Sequence, residues 1–398
     1  MSSKERAPGP CSRGPTDPIF QVQPNAVAMQ VDRPNTLDLQ EAVKRRRSLS
    51  GRTRHDGLIR QRHVNVQPNQ PRIRHVLERP SRHRPRVWRL EASSAPLLTY
   101  PWRVRIDIML LQNQPWPVLR ERALRAEAMG FTGLWMADHF VNPYVPDQDW
   151  FESWTLLGAI AEATQTIRLG PMVSSLTLRN PAMLARAAMT LDHISGGRFD
   201  LGMGAGGAPL DHSMVGVPPF TPDERAERFR DSVQIVSDLL TSGATTAPEG
   251  SHYDVMEAQV RPSPVQQPLP ITVAGLGKSA LRVAARYGAT WNTMGMARGR
   301  DLKGLLPHDE AMVITAERSA TIDRFLEEEG RDPSGIRRSY LVAGTYSGAT
   351  PTVPEFLHIV EDLQHIGMTD AVIYWPSEPA NEAALERLAM EALPQIAG

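Results

Sequence analysis

Residues 131–142 read FTGLWMADHFVN, and the fold turns on whether Phe131 to Ala137 is a strand buried on both faces. The run is apolar and aromatic without a polar alternate, which in soluble chains is the pattern of a parallel strand covered by helices. Asp138 and His139 then stand at its carboxyl end. In α/β folds that end is where ligands bind, so the pair is a candidate site. The plainer alternatives are a helix-capping Asp and a hydrogen-bonded structural His.

Working outward, the same kind of run recurs at VRIDIMLL (104–111), IRLGPMVSS (167–175), RFDLGMG (198–204), PITVAG (270–275), ATWNT (289–293), RRSYLVA (337–343) and DAVIYWP (370–376). Amphipathic helical segments alternate with them, over 118–129, 154–164, 181–194, 221–240, 279–287, 309–329, 354–366 and a closing stretch to 392. Thr221 followed by Glu224 has the spacing of a capping box. SHYDVMEAQVRP (251–262) reads as a short excursion or hairpin outside this rhythm. Eight βα units in roughly 295 residues is the size of a (β/α)₈ TIM barrel, whereas a doubly wound sheet usually stops at fewer strands. The expected architecture is therefore a TIM-barrel catalytic domain over 99–398.

Residues 1–98 have a different character. KRRRSLSGRTR and ERPSRHRPR carry no sustained period, and the first hundred residues hold 19 Lys and Arg against 8 Asp and Glu. Such composition buries too little apolar surface to offset its ordering entropy, so a disordered Arg- and Pro-rich extension is expected, or a coding start placed too far upstream. Nucleic-acid binding is disfavoured because no recognition module accompanies the charge. The single cysteine, Cys11, excludes an intrachain disulfide or thiolate cluster. No run has the length of a membrane span and no secretory signal is visible, so a cytoplasmic protein is the expectation.

The strand ends supply Gln112, Asn113, Asp138, His139, Ser174, Ser175, Gly204, Gly206, Gly207, Gly275, Gly277, Lys278, Thr293, Trp375 and Ser377. No metal-ligand spacing emerges from this set, and paired carboxylates are absent from it. Glycine and small hydroxyl side chains suit a large flat ligand lying close to backbone. DLGMGAGGAP (200–209) satisfies G-x-G-x-x-G at Gly202, Gly204 and Gly207, but the helix it should open is delayed to Thr221, so a dinucleotide fold is rejected. AGLGKS (274–279) is the better anion candidate, because Gly275 and Gly277 precede a helix whose amides and dipole attract a phosphate, with Lys278 adding charge.

GFTGLWMADHF, the run from Ile167 to Gly207 with its R-N-P, D-x-x-S-x-G-R and G-x-G elements, and PITVAGLGKSALRVAARYGATWNT together resemble the bacterial-luciferase-like flavin- and F420-dependent oxidoreductases. The resemblance covers about 103–393. It implies a ring cofactor at the carboxyl-end mouth of the barrel, most favourably F420 with FMN as the alternative. His139 matches the family's polar group beside that ring, with Asp138 either orienting it or capping the next helix. Ser174 and Ser175 match the point where F420-using members carry a bulge, often with a non-proline cis peptide. Gly275, Gly277 and Lys278 match the phosphate side, while Gly204 and Gly206, read from the residues alone, permit close approach of a cofactor to backbone after the fourth strand. It further implies a small-molecule substrate, by F420-dependent hydride transfer or by FMN-dependent monooxygenation, and by analogy a homodimer. Readings of other classes are a non-redox hydrolase or lyase using Asp138, His139 and Asp211, and a non-catalytic cofactor-binding protein.

Overall fold

A computed structural model describes residues 104–297, 305–347 and 350–397. All fall in the unit Pro96–Gly398. The expected extension over 1–98 lies outside the described residues.

The barrel strands are β1 (Arg105–Met109), β2 (Gly133–Met136), β3 (Arg168–Pro171), β4 (Ser174–Ser175), β5 (Leu201–Gly204), β8 (Ile271–Ala274), β9 (Thr290–Thr293), β10 (Arg337–Leu341) and β11 (Asp370–Tyr374), with a separate hairpin of β6 (Ala244–Thr245) and β7 (Ala258–Gln259). The barrel sheet runs β3-β2-β1-β11-β10-β9-β8-β5-β4, and its pairings are parallel. β3 and β4 are two pieces of one strand: the first pairs with β2, the second with β5. Between them the Met172–Val173 peptide is cis. The ring closes where Leu169 N–H donates to the Arg198 carbonyl at 3.1 Å and Asp200 N–H to the Leu169 carbonyl at 2.9 Å. These are the eight strands of a TIM barrel, as the sequence predicts, and the hairpin involves the 251–262 excursion.

The helices are α1 (Trp116–Ala128), α2 (Ser153–Ala163), α3 (Pro181–Ser195), α4 (Pro209–Met214), α5 (Pro222–Ser242), α6 (Lys278–Tyr287), α7 (His308–Glu328), α8 (Val353–His365), α9 (Glu382–Glu391) and α10 (Leu393–Ala397). Their starts are chemically marked. Asn180 accepts from the Ala182 and Met183 amides ahead of Pro181, and Glu152 from those of Trp154 and Thr155. Thr221 Oγ1 accepts from Glu224 N–H at 3.2 Å. The Glu224 side chain turns to Arg228 instead of closing the box. The short helix α4 was not expected. It occupies the loop that delays α5.

Strict alternation divides the strands. Ile106, Ile108, Leu134, Met136, Leu201, Met203, Ala371 and Ile373 join the large core against the helices. Met109, Trp135, Val372 and Tyr374, one residue out of phase, join a second cluster inside the barrel with Met172 and Leu341. Fully buried Leu157 and Ile160 seat α2 on the outer face, each contributing about 1.5–3 kcal/mol.

The amino-terminal end of the barrel is closed by charge. Asp370 takes Arg105 at 2.7 Å and the Nε of Arg337 at 3.1 Å, and Arg168 holds Asp200 at 2.6 and 2.8 Å. Above them Asp107 accepts from the indole N–H of Trp135 at 2.9 Å. Burial, and then the neighbouring Asp370 carboxylate, push Asp107 up to about 6 against the opposing pull of Arg105. This end is therefore sealed by buried charge pairs.

Candidate active site at the carboxyl end of the barrel

β2 delivers Asp138 and His139 to the mouth in opposite roles. Asp138 is buried and accepts from Arg179 Nε and Nη2, both at 2.9 Å, and from the Ser153 hydroxyl at 3.0 Å. The fork geometry saturates both carboxylate oxygens. Asp138 thus fastens the β2 end to the start of α2 and to the segment before α3, and does not contact His139 through a hydrogen bond. Arg179 also bonds Glu152 and lies 5.2 Å from the ring centroid of Trp154.

The partner of His139 is Asp211, on α4. His139 Nδ1 is 2.8 Å from Asp211 Oδ2, and the other carboxylate oxygen accepts from the Phe140 amide at 2.9 Å. The Asp211 side chain is 2% exposed and the His139 side chain 33% exposed. A carboxylate only accepts, so Nδ1 carries the proton and Nε2 is left with its lone pair on the neutral ring. Trp150 fixes the backbone by donating to the His139 carbonyl at 3.0 Å. The unexpected helix α4 exists in the right place to orient the imidazole.

Ser174 and Ser175 sit where the interrupted strand meets β5. Ser174 Oγ accepts from the Trp154 indole at 3.0 Å. Ser175 Oγ receives the Thr177 amide at 3.3 Å, and Thr177 Oγ1 lies 3.3 Å from Nε2 of buried His212. His212 Nδ1 must donate to the Pro218 carbonyl, 3.0 Å away, so in the neutral ring Nε2 accepts from Thr177. This small network anchors the long loop between β5 and α5.

The glycines divide by cause. A Cβ on Gly202 would run into the Pro171 carbonyl and one on Gly204 into the Val173 side chain, so these two serve the close packing of β5 against the broken strand. Gly206, at φ +61°, abuts Thr177 Oγ1 and Ser175 Oγ. Gly275 packs on Ala280 across the turn into α6. Gly277 is the residue before α6 and provides no side-chain cap, leaving the first-turn amides for another acceptor. Lys278 lines a groove of about 460 Å³ on the outer face between α5, α6 and α7, which also holds Asp223, Glu227 and Arg282. That groove is not lined by His139 or by the inner cluster.

The inner mouth is asymmetric. On the β1, β2, β10 and β11 side the last inward residues are Met109, Trp135, Leu341 and Tyr374. On the β5 and β8 side the corresponding positions are Gly204 and Ala274. Gln112 Oε1, buried after β1, has no hydrogen-bond partner, which is costly unless a ligand supplies one; Thr293 Oγ1 in β9 also lacks one but is in phase with Trp291 and faces the helices. Among the described residues no cluster of His, Cys, Asp and Glu is arranged to hold a metal ion, and no helix is long and apolar enough to cross a membrane.

The profile of the luciferase-like monooxygenases matches residues 100–351. An F420-dependent glucose-6-phosphate dehydrogenase of Amycolatopsis mediterranei is 34% identical over 178 residues, which is 43% of this chain and 51% of that protein. A 4-hydroxyprotoasukamycin monooxygenase of Streptomyces nodosus subsp. asukaensis is 30% identical over 207 residues, 50% of this chain and 53% of that protein. The chain thus spans about half the length of these curated relatives. The solved structure of an F420-dependent secondary alcohol dehydrogenase, in complex with an F420–acetone adduct, superposes with a TM-score of 0.62 at 17% identity, over 74% of this chain and 99% of that one. At that identity the likeness speaks to the fold.

Proposed function

Because the chain belongs to the luciferase-like monooxygenase family, we propose that it is an F420-dependent oxidoreductase moving a hydride to or from a small organic substrate at the carboxyl-end mouth of the barrel. The observation that carries the reading is His139, held by buried Asp211 at the end of β2 with Nε2 uncommitted. The residues present fit a flat ring bearing a phosphate arm. Ala274 leaves the β8 side of the mouth with little bulk, Gln112 Oε1 lacks a partner, and the uncapped amides at the start of α6 favour an anion.

When bound, F420 supplies the carbon that accepts or donates the hydride. His139 Nε2 takes or returns the proton on the substrate oxygen, a role suited to an imidazole near neutral pH. Asp211 fixes which nitrogen faces the mouth. Met109, Trp135, Met172 and Leu341 form an apolar floor that excludes water from the reacting atoms. Asp138 and Arg179 support the site without entering it.

An FMN-dependent monooxygenase is the second reading, favoured by the likeness to the Streptomyces monooxygenase. Parallel fluorescence titrations of the full chain with F420 and with FMN separate the two. The expected result is saturable binding of F420 and none of FMN. Binding of FMN alone transfers the protein to the oxygen-using branch. If neither binds, the redox reading falls and a hydrolase built on His139 and Asp211 takes its place.

A further inference from the structure

Three tyrosines from three different segments form one wall of the mouth. Tyr374 ends β11, Tyr346 lies in the short helical turn after β10, and Tyr144 belongs to the loop between β2 and α2. Tyr346 packs edge-on against both neighbours, with ring centroids 5.3 Å from Tyr144 and 5.3 Å from Tyr374. Edge-to-face pairs at this spacing are favourable and stiff, so the wall is preformed. Its lower end joins the floor of Met109, Trp135, Met172 and Leu341, against which Tyr346 is packed. The loop that carries Tyr144 also holds Phe140, Val145 and Phe151, all exposed.

The polar end of the central ring is committed. The Tyr346 hydroxyl donates to Asn142 Oδ1 at 3.2 Å, and that oxygen also accepts from the Tyr144 and Val145 amides at 2.9 and 3.3 Å. Two guanidinium groups are committed as well: Arg179 to Asp138 and Glu152, and Arg318 to the carbonyls of Met294 and Met296. What the wall offers a ligand is hydrocarbon and ring surface.

Resting on the oxidoreductase reading of this same mouth, we infer that the substrate is a neutral molecule with an aromatic or alicyclic body, seated against Tyr144, Tyr346 and Tyr374, and not a phosphorylated sugar. A phosphate ester placed here would lose its hydration and meet no uncommitted cation among the described residues of the wall. A flat apolar ring would extend the edge-to-face series.

The test is calorimetric titration of the full chain, with and without saturating F420, using acetophenone and glucose 6-phosphate as probes. The inference expects saturable binding of acetophenone and none of glucose 6-phosphate. Tyr346→Ala should weaken acetophenone at least fivefold, and Tyr346→Phe, which keeps the ring and loses the bond to Asn142, less than twofold. Tyr144→Ala, at an exposed position, should weaken it as well and guards against misfolding of the first variant. Preferential binding of glucose 6-phosphate, no saturable binding of acetophenone, or an acetophenone affinity in both alanine variants equal to that of the parent overturns the inference. Fluorescence titration of the same samples with F420 keeps the readings apart: acetophenone binding without F420 binding leaves the wall standing and removes the cofactor.

Discussion

At the scale of single residues, neighbouring Asp138 and His139 have different partners: Asp138 is held by Arg179 and Ser153, whereas His139, held by Asp211, is the group proposed for the chemistry. His139→Ala should lower kcat by about 100-fold or more, the contribution typical of a positioned acid–base group. Asp211→Ala should lose part of that factor while F420 affinity stays unchanged, because it removes the orienting acceptor at Nδ1 and nothing from the mouth. An Asp211 variant with wild-type kcat would deny the dyad its role. Arg179→Ala behaves differently: it leaves Asp138 ionised and buried without its fork, and should destabilise the fold by about 3 kcal/mol, read by thermal or denaturant unfolding. The sequence made Asp138 and His139 legible as a strand end. It did not disclose that Asp211, 72 residues on, belongs to His139, or that Arg179, 41 residues on, belongs to Asp138, because periodicity says nothing about contacts across a barrel mouth.

At the scale of elements, the eight strands were readable because each is a short apolar run followed by an amphipathic segment. The break between β3 and β4 is not visible in the apolar run IRLGPMVSS itself; only the resemblance pointed to it, by placing a bulge, often with a non-proline cis peptide, at Ser174 and Ser175. The glycines of DLGMGAGG illustrate how one pattern can have two causes. Gly202 and Gly204 answer to Pro171 and Val173 on the adjacent strand, whereas a Cβ on Gly207 would meet only Arg225 Nη1, at 3.5 Å. Gly202→Ala should therefore destabilise the barrel by about 1–3 kcal/mol through strand separation. Gly207→Ala should change stability by less than about 0.5 kcal/mol. Equal effects in urea unfolding would contradict the assignment of these glycines to strand packing. α4 escaped sequence reading because six residues, Pro209–Met214, are too few to show a helical period.

At the scale of the whole molecule, the barrel is polarised: charged side chains seal one end, and an apolar, aromatic mouth occupies the other. The sealed end makes stability depend on pH in a stated direction. Asp107, pushed from 3.8 to about 6, holds its proton more tightly in the folded state than in the unfolded chain. Its contribution is fully present below pH 3.8 and is lost as pH rises through about 6. Asp107→Asn keeps an acceptor for the Trp135 indole and removes the titration, so its stability should exceed that of the parent increasingly across this window. An unchanged difference would show that Asp107 does not titrate there.

The central claim, that the mouth beside His139 is a deazaflavin site, is tested most directly by a crystal structure of the full chain soaked with F420. The ring is expected against Val173 and Ala274, with His139 Nε2 facing the space between ring and tyrosine wall and the phosphate at the amides that start α6. Density for F420 in the outer groove beside Arg282, or a mouth that stays empty at saturating F420, would contradict it.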